Sequence, residues 1–329
     1  MQRSRGTRQE SNAGSGRSTR NIGNAGSGRS TRNAGNAGSS RSTRNTGDAG
    51  GGKSTDKSRA ANRKRYEKGS GFDAPISVSQ NFITSQKLIH RIVRLSGIGK
   101  KDTVFEIGTG KGHLTEALCK EAGYVHSIEI DRKLYETAGK RLSEVTNLHL
   151  ICGDFLKYPL PDRGDYVIFA NIPYNITTQI IEKLTNTVNV PRDIWLIMEK
   201  GAAKRWLGLP HETEKSLRLK VYWDAKMQYY FRREDFHPMP SVDSVLVHFS
   251  LKPEPDLSRN EYRAFCRFVD EGMKHGICGK SGLLTDRQAQ AALKRANLPH
   301  AHEDGVTLYI QWLCLFRCWQ KLRNGCPRI

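Results

Sequence analysis

The chain has 329 residues, 53 Lys and Arg against 33 Asp and Glu, a net charge of +20 and 37% hydrophobic residues. It has no apolar run of about 18 residues and so no candidate membrane span; its seven cysteines are odd in number and lack a framework spacing, which excludes a disulfide scaffold. The basic excess points to an anionic partner, nucleic acid ahead of a membrane surface, because Lys and Arg release counterions condensed on phosphate and no basic amphipathic helix with bulky apolar residues stands out.

Residues 1–70 hold 12 Arg and 4 Lys against 2 Asp and 2 Glu, and no Leu, Val, Phe, Trp or Cys. Such a segment cannot bury enough apolar surface to offset chain entropy, so a disordered basic tail is expected. The tail repeats with a period of 12: NAGSGRSTRN at Asn12–Asn21 recurs at Asn24–Asn33 and, with one change, at Asn36–Asn45. Gly47, Gly52, Lys53 and Ser54 match a phosphate-loop pattern, but that loop must follow a strand and open a helix, and repeat sequence flanks it here. The tail is Arg- and Ser-rich like a transit peptide but lacks an apolar stripe, and it has no apolar signal core.

From residue 71 to 252 short apolar runs alternate with amphipathic stretches. Ser85 is placed to cap a helix through Leu88, Ile89, Ile92, Val93 and Leu95, ended by Gly97. Thr103–Ile107, Tyr124–Ile128, Leu148–Ile151, Tyr166–Ala170 and Ile194–Met198 read as buried strands, and Lys226–Phe231 and Ser244–Leu251 as two closing strands. Strand–helix alternation predicts an α/β domain with a largely parallel, doubly wound, Rossmann-like sheet. Residues 253–329 turn helical, over Tyr262–Met273, Asp286–Ala296 and Leu308–Leu322, and are expected to form a small separate helical domain that binds RNA.

The chemistry concentrates at successive strand ends. Glu106-Ile107-Gly108-Thr109-Gly110-Lys111-Gly112 follows the first strand and opens a helix, where glycines let the backbone turn tightly and approach a ligand. Glu129, 21 residues beyond Gly108, ends the second strand and suits ribose hydroxyls; Asp131 competes for that role but reads better as a helix cap. Asp154, in Gly153-Asp154-Phe155, ends the third strand and can accept an exocyclic amine. Asn171-Ile172-Pro173-Tyr174 ends the fourth: the Asn171 side-chain carbonyl and the Ile172 backbone carbonyl can meet one amine while Tyr174 offers a flat face, although an Asn-Pro turn before a core tyrosine would have the same sequence. Cys314 and Cys318, four apart without a completing His or Cys, read as core packing, as do Trp195, Trp206, Trp312 and Trp319; His113 reads as helix surface. Arg205, Lys215, Arg218 and Lys220 suit either RNA phosphate or a solvated helix face.

Taken together, EIGTGKG, the IEID around Glu129, GDF, NIPYNITT and FHPMPSVDS resemble the erythromycin-resistance 23S rRNA adenine N6-methyltransferases, over about Ser79 to Leu322 and including Gln80-Asn81-Phe82-Ile83-Thr84. The resemblance implies S-adenosylmethionine as donor, one adenine of large-subunit rRNA as acceptor before ribosome assembly, and resistance to macrolide, lincosamide and streptogramin B antibiotics. A sister family methylates two adenines of small-subunit rRNA; Pro in place of Thr109 and Leu in place of Ile172 would be expected there, so Lys111 and Ile172 favour the resistance enzymes.

Carried over residue by residue, the resemblance assigns the donor to Gln80, Asn81, Phe82, Gly108, Thr109, Gly110, Gly112, Glu129, Ile130, Asp154, Phe155 and Asn171. It assigns the target adenine to Asn171, Ile172 and Tyr174, with Phe236 on the other face of the base. A cytoplasmic monomer acting without a metal or a covalent intermediate is expected, and the repeat tail lies outside the resemblance.

Overall fold

The computed structural model describes residues 81–279, 282–299 and 308–325. The expectations for the tail at 1–70 and for Gln80 lie outside the described residues.

The short strand β1 (Phe82–Ile83) leads into helix α1 (Gln86–Leu95), capped as the sequence predicts, with the Ser85 hydroxyl accepting from the Leu88 amide. Strand β2 (Thr103–Ile107), helix α2 (His113–Glu121), β3 (Tyr124–Glu129), α3 (Arg132–Arg141) and β4 (Leu148–Cys152) follow, and then β5 (Val167–Asn171), α4 (Thr177–Thr185) and β6 (Asp193–Glu199). Helices α5 (Lys200–Leu207) and α6 (Glu214–Leu219) precede β7 (Trp223–Tyr230), the two-residue β8 (Phe236–His237) and β9 (Ser244–Leu251). The chain continues through α7 (Arg259–His275), α8 (Asp286–Arg295) and α9 (Tyr309–Arg323).

Seven strands form one sheet in the order β4-β3-β2-β5-β6-β9-β7. The five strands from β4 to β6 run parallel; β9 is antiparallel to both β6 and β7. Strand β5 shows why the parallel part reads as unbroken apolar runs. Successive side chains point to opposite faces, and both faces are covered. Ile168 and Ala170 join a core with α4 and α5, whereas Val167 and Phe169 join a second core with α1 and α2. Phe169 is wholly buried, so truncation to Ala would cost about 3–5 kcal/mol.

The helices after residue 253 share a third core, in which Phe265, Phe268, Trp312 and Phe316 pack in edge-to-face pairs. Leu217 and Val221 also belong to it, so this core reaches back across the boundary expected at residue 253. Cys314, Cys318 and Trp319 pack against the same cluster, and Trp195, Trp206 and Trp312 are buried. One element escapes the sequence pattern: β1 pairs antiparallel with β8, Ile83 opposite Phe236. Two-residue strands more than 150 positions apart carry no periodicity to read.

Candidate active site

A cleft opens at the carboxyl ends of β2, β3, β4 and β5. Its lining includes Asn81, Phe82, Gly108, Thr109, Gly110, Glu129, Ile130, Asp154, Phe155, Asn171, Ile172 and Tyr174. Gly112 is not in the lining: it is the N-cap of α2, and a Cβ on it would face Leu142 and Arg141. Apart from it, the structure gathers the described residues that the sequence assigns to donor and target, with one exception.

The exception is Phe236. Its ring is 3% exposed, packs 5.2 Å from Phe231 in the core shared with Ile83 and Leu246, and is absent from the cleft lining. Pairing of β8 with β1 fixes Phe236 opposite Ile83 and commits its ring to that core, so its position gives no support to a place against the target base. His113 departs from expectation in the other direction. It lines the cleft, hydrogen-bonds Gln86 at 2.6 Å, and burial together with the Arg141 charge lowers its pKa.

The glycine loop takes its shape from backbone that side chains rarely tolerate: Gly108, Gly110 and Gly112 have φ of +80°, +58° and +82°. A Cβ on Gly110 would stand 2.6 Å from the Phe82 ring, while one on Gly108 would meet nothing within 4 Å. Phe82 therefore closes on the loop over Gly110, and the space beside Gly108 stays open to a ligand. Glu129, 2% exposed, organises this corner. One carboxylate oxygen accepts the Gly110 amide and the other the Asp131 amide, each at 2.8 Å. Asp131 caps α3 through the Lys133 and Leu134 amides, the bland role anticipated for it. Asp154 holds the Leu156 amide at 2.9 Å with one oxygen, and its other oxygen lies 3.9 Å from Lys157.

Behind the loop lies a buried polar chain that the motif reading passes over. Thr109 and Ser127 share a 2.6 Å hydrogen bond, Ser127 donates to Glu106 at 2.5 Å, and Thr115 donates to the same Glu106 oxygen at 2.6 Å. Burial pushes the Glu106 carboxyl up to about 8, against the lowering effect of its two hydroxyl donors. Its other oxygen has no partner among the described residues. The available signal was a lone acid in the otherwise apolar run Thr103–Ile107.

At the end of β5 the Asn171 side-chain amide donates to the Asn81 carbonyl at 2.7 Å, leaving its own carbonyl oxygen without a partner among the described residues. The Ile172 amide is held by the Ile197 carbonyl of β6 at 3.2 Å. Pro173 turns the chain into a single 3-10 turn, Tyr174–Ile176. The Tyr174 hydroxyl meets the Ser244 hydroxyl at 2.5 Å, and burial raises its pKa. Ser244, buried at the start of β9, is a second functional position that the motif reading quotes without a role. The four basic residues left open between RNA and solvent divide: Lys215 pairs with Glu182, Arg218 with Glu214 and Asp270, and Lys220 with Glu212, while Arg205 is exposed.

The cleft suits the expected S-adenosylmethionine: an open space beside Gly108, a fixed carboxylate at the end of β3, and a second carboxylate beyond β4 with Ile130 and Phe155 as apolar flanks. Comparison with known proteins agrees. The family model for ribosomal RNA adenine dimethylase matches residues 71–299. The chain is 36% identical over 256 residues to an rRNA adenine N-6-methyltransferase of Lysinibacillus sphaericus, and 34% over 252 residues to one of Escherichia coli, each alignment covering 76% of this chain and 98% of the relative. Among solved structures, the 23S rRNA methyltransferase ErmE shares the fold with a TM-score of 0.66 at 24% identity, over 73% of this chain and all of that one. A dimethyladenosine transferase from Plasmodium falciparum gives 0.59 at 22%, over 74% and 98%. With glycine loop, strand-end acids and NIPY turn in one cleft and relatives above 30% identity matched over almost their full length, the chain belongs to the ribosomal RNA adenine dimethylase family, and is an S-adenosylmethionine-dependent rRNA adenine N6-methyltransferase.

Proposed function

We propose that the enzyme methylates N6 of a single adenine in 23S rRNA and thereby confers macrolide, lincosamide and streptogramin B resistance. The observation that carries the choice of target is the residue pattern at the two ends of the cleft: Thr109 and Lys111 in the glycine loop, and Ile172 in NIPY, as in the resistance enzymes. The reading extends to a monomer acting in the cytoplasm on 23S rRNA not yet assembled into ribosomes, with the helices after residue 253 contributing to RNA binding.

S-adenosylmethionine, when bound, supplies a methyl group activated by its sulfonium. Gly108, Thr109 and Gly110 would line its methionine part, with Gly112 turning the loop into α2 and Asn81 and Phe82 closing over it. Each Glu129 oxygen accepts one amide and keeps a lone pair for a ribose hydroxyl. Asp154 would accept the donor's adenine amine, between Ile130 and Phe155.

The chemical difficulty lies in the acceptor, because the adenine N6 lone pair is delocalised into the ring. With the Asn171 amide committed to Asn81, its side-chain carbonyl is the free acceptor, and the Ile172 carbonyl is the second. Two acceptors on the N6 hydrogens draw that nitrogen out of the ring plane and localise its lone pair. Fixing these groups in advance at the end of β5, with the Ile172 amide held by β6, lowers the barrier electrostatically and by orientation. Asn171 is no base at neutral pH, so the proton leaves to water after methyl transfer. Tyr174 would stack on the target base and offset the cost of unstacking it from the RNA.

The test is transfer of label from S-adenosylmethionine to protein-free rRNA of both subunits, with the modified position mapped by primer extension and mass spectrometry. Label in one large-subunit adenine, with raised erythromycin tolerance of expressing cells, is expected. Label confined to small-subunit rRNA would overturn the reading.

A further inference from the structure

Beside the catalytic cleft, β7 ends and the loop into β9 begins with a second concave surface that the methyl-transfer reading does not use. Tyr230, the last residue of β7, is 60% exposed, and Met239 in the loop is 64% exposed. The two line one concave surface and so are not apolar residues scattered singly. The cations around them are arranged differently from one another. The Lys200 ammonium stands over the Tyr230 ring, 5.8 Å from its centroid, and 3.6 Å from an Asp243 carboxylate oxygen. Arg233 is held by Asp243 at 3.0 Å. Arg232 is exposed and forms no ion pair among the described residues.

This surface shares a wall with the target pocket. Ser244 lines it and also bonds the Tyr174 hydroxyl at 2.5 Å. Its backbone is fixed as well: the Lys200 amide donates to the Asp243 carbonyl at 2.8 Å, and the Phe231 amide to the Ser244 carbonyl at 3.1 Å. A flat ring, a soft thioether and an unpaired guanidinium therefore line a surface joined through Ser244 to the place where Tyr174 would receive a base.

Extruding a base leaves its neighbour with one unstacked face. Single-stranded RNA recovers such losses on exposed aromatic rings, with cations on the adjoining phosphate. We infer that Tyr230, flanked by Met239, stacks the nucleotide next to the target adenine while Arg232 holds its phosphate. The inference rests on Tyr174 receiving the target base, and it names a site for a second nucleotide of the same strand.

The test uses the full chain and the short rRNA fragment, from whichever subunit, that it methylates, with 2-aminopurine replacing each nucleotide flanking the target in turn. Fluorescence should be quenched on binding at one flank only. Tyr230→Ala should remove that quenching and raise the KM for RNA about tenfold, as expected for loss of one stacked base, while kcat at saturating RNA and donor affinity stay unchanged. Tyr230→Phe should restore both quenching and KM. Arg232→Ala should weaken RNA binding at low salt and make its salt dependence shallower. Unaltered quenching and KM in Tyr230→Ala would overturn the inference. Tyr174→Ala, run alongside, tests the underlying reading separately: if it leaves kcat unchanged, the target-base assignment is what has failed.

Discussion

At the carboxyl ends of β2 and β3, the hydrogen bonds that shape the cleft join residues close in sequence. Thr115 reaches Glu106 across 9 positions, Thr109 reaches Ser127 across 18, and Gly110 reaches Glu129 across 19. At β5 and β9 the corresponding bonds span 70 positions for Tyr174 and Ser244, and 90 for Asn171 and Asn81; Thr84 reaches Asp235 across 151. The glycine-loop corner proposed for the donor is thus one strand–helix–strand unit with its own network, whereas the end proposed for the target exists only once β1, β5, β8 and β9 have all come together. Damage at the first should therefore appear as lost donor affinity with the rest of the site intact. Damage at the second should appear in turnover, with donor binding largely kept.

The largest effect is expected at Asn171. Asn171→Ala removes the proposed acceptor for the N6 hydrogens and also frees the Asn81 carbonyl. Turnover should fall by about 10²–10³-fold, the usual loss for one preorganised transition-state hydrogen-bonding group. Donor affinity, measured by calorimetry, should fall far less. If affinity and turnover fall together, the contrast between the two ends is wrong.

Glu106 sharpens the comparison through pH. Its carboxyl is raised from 4.5 to about 8 by burial. Between those values the unfolded chain has lost the proton and the folded chain keeps it, so this group's stability is complete below about 4.5 and drains away as pH rises through about 8. Glu106→Gln, an isostere of the protonated acid, should be spared that loss. Its stability relative to the parent should climb from pH 5 to pH 8.5 by on the order of a few kcal/mol, at about 1.36 kcal/mol per pKa unit. Thermal melts at both pH values decide it, and a constant difference would show the carboxyl ionised throughout.

The same contrast in contact range governs what could be read from the sequence. β2 and β9 have the bounds that their apolar runs predict, and Ser85 and Asp131 cap where expected, because strand runs and caps are local signals. Gly108, Glu129 and Asp154 were legible because each ends a strand of a parallel sheet, which sets them along one edge. Phe236 was not: its motif suggested an aromatic wall, but its side chain's surroundings depend on pairing with Ile83 across the whole domain. Ser244 and the Asn81 carbonyl escaped for the same reason, being partners whose roles arise only from contacts formed by the closed sheet.

At the donor end, Glu129→Ala should weaken S-adenosylmethionine binding by about 1–3 kcal/mol, the range for losing a charged hydrogen-bonding partner, since it removes the proposed ribose acceptor and releases the Gly110 and Asp131 amides together. RNA affinity in a filter-binding assay without donor should not change. A matching loss of RNA affinity would mean that the loop network supports both ends.

The smallest effects belong to the Tyr174 and Ser244 hydroxyls. If the ring face stacks on the base, these groups only hold the ring, and a neutral hydrogen bond of that kind contributes about 0.5–1.5 kcal/mol. Tyr174→Phe should therefore retain turnover within about tenfold of the parent, whereas Tyr174→Ala should not. The two partners are not equivalent. Ser244 is 3% exposed, so Tyr174→Phe strands its hydroxyl in the interior, whereas Tyr174 is only half-buried and lines the cleft, so in Ser244→Ala its hydroxyl is less confined. Ser244→Ala should accordingly be the milder change, and the double variant should be no worse than Tyr174→Phe alone, because both remove one shared interaction. Additive losses in the cycle would mean that the hydroxyls act on separate targets, and a Tyr174→Phe variant as inert as Tyr174→Ala would move the chemistry from the ring face to the phenol oxygen.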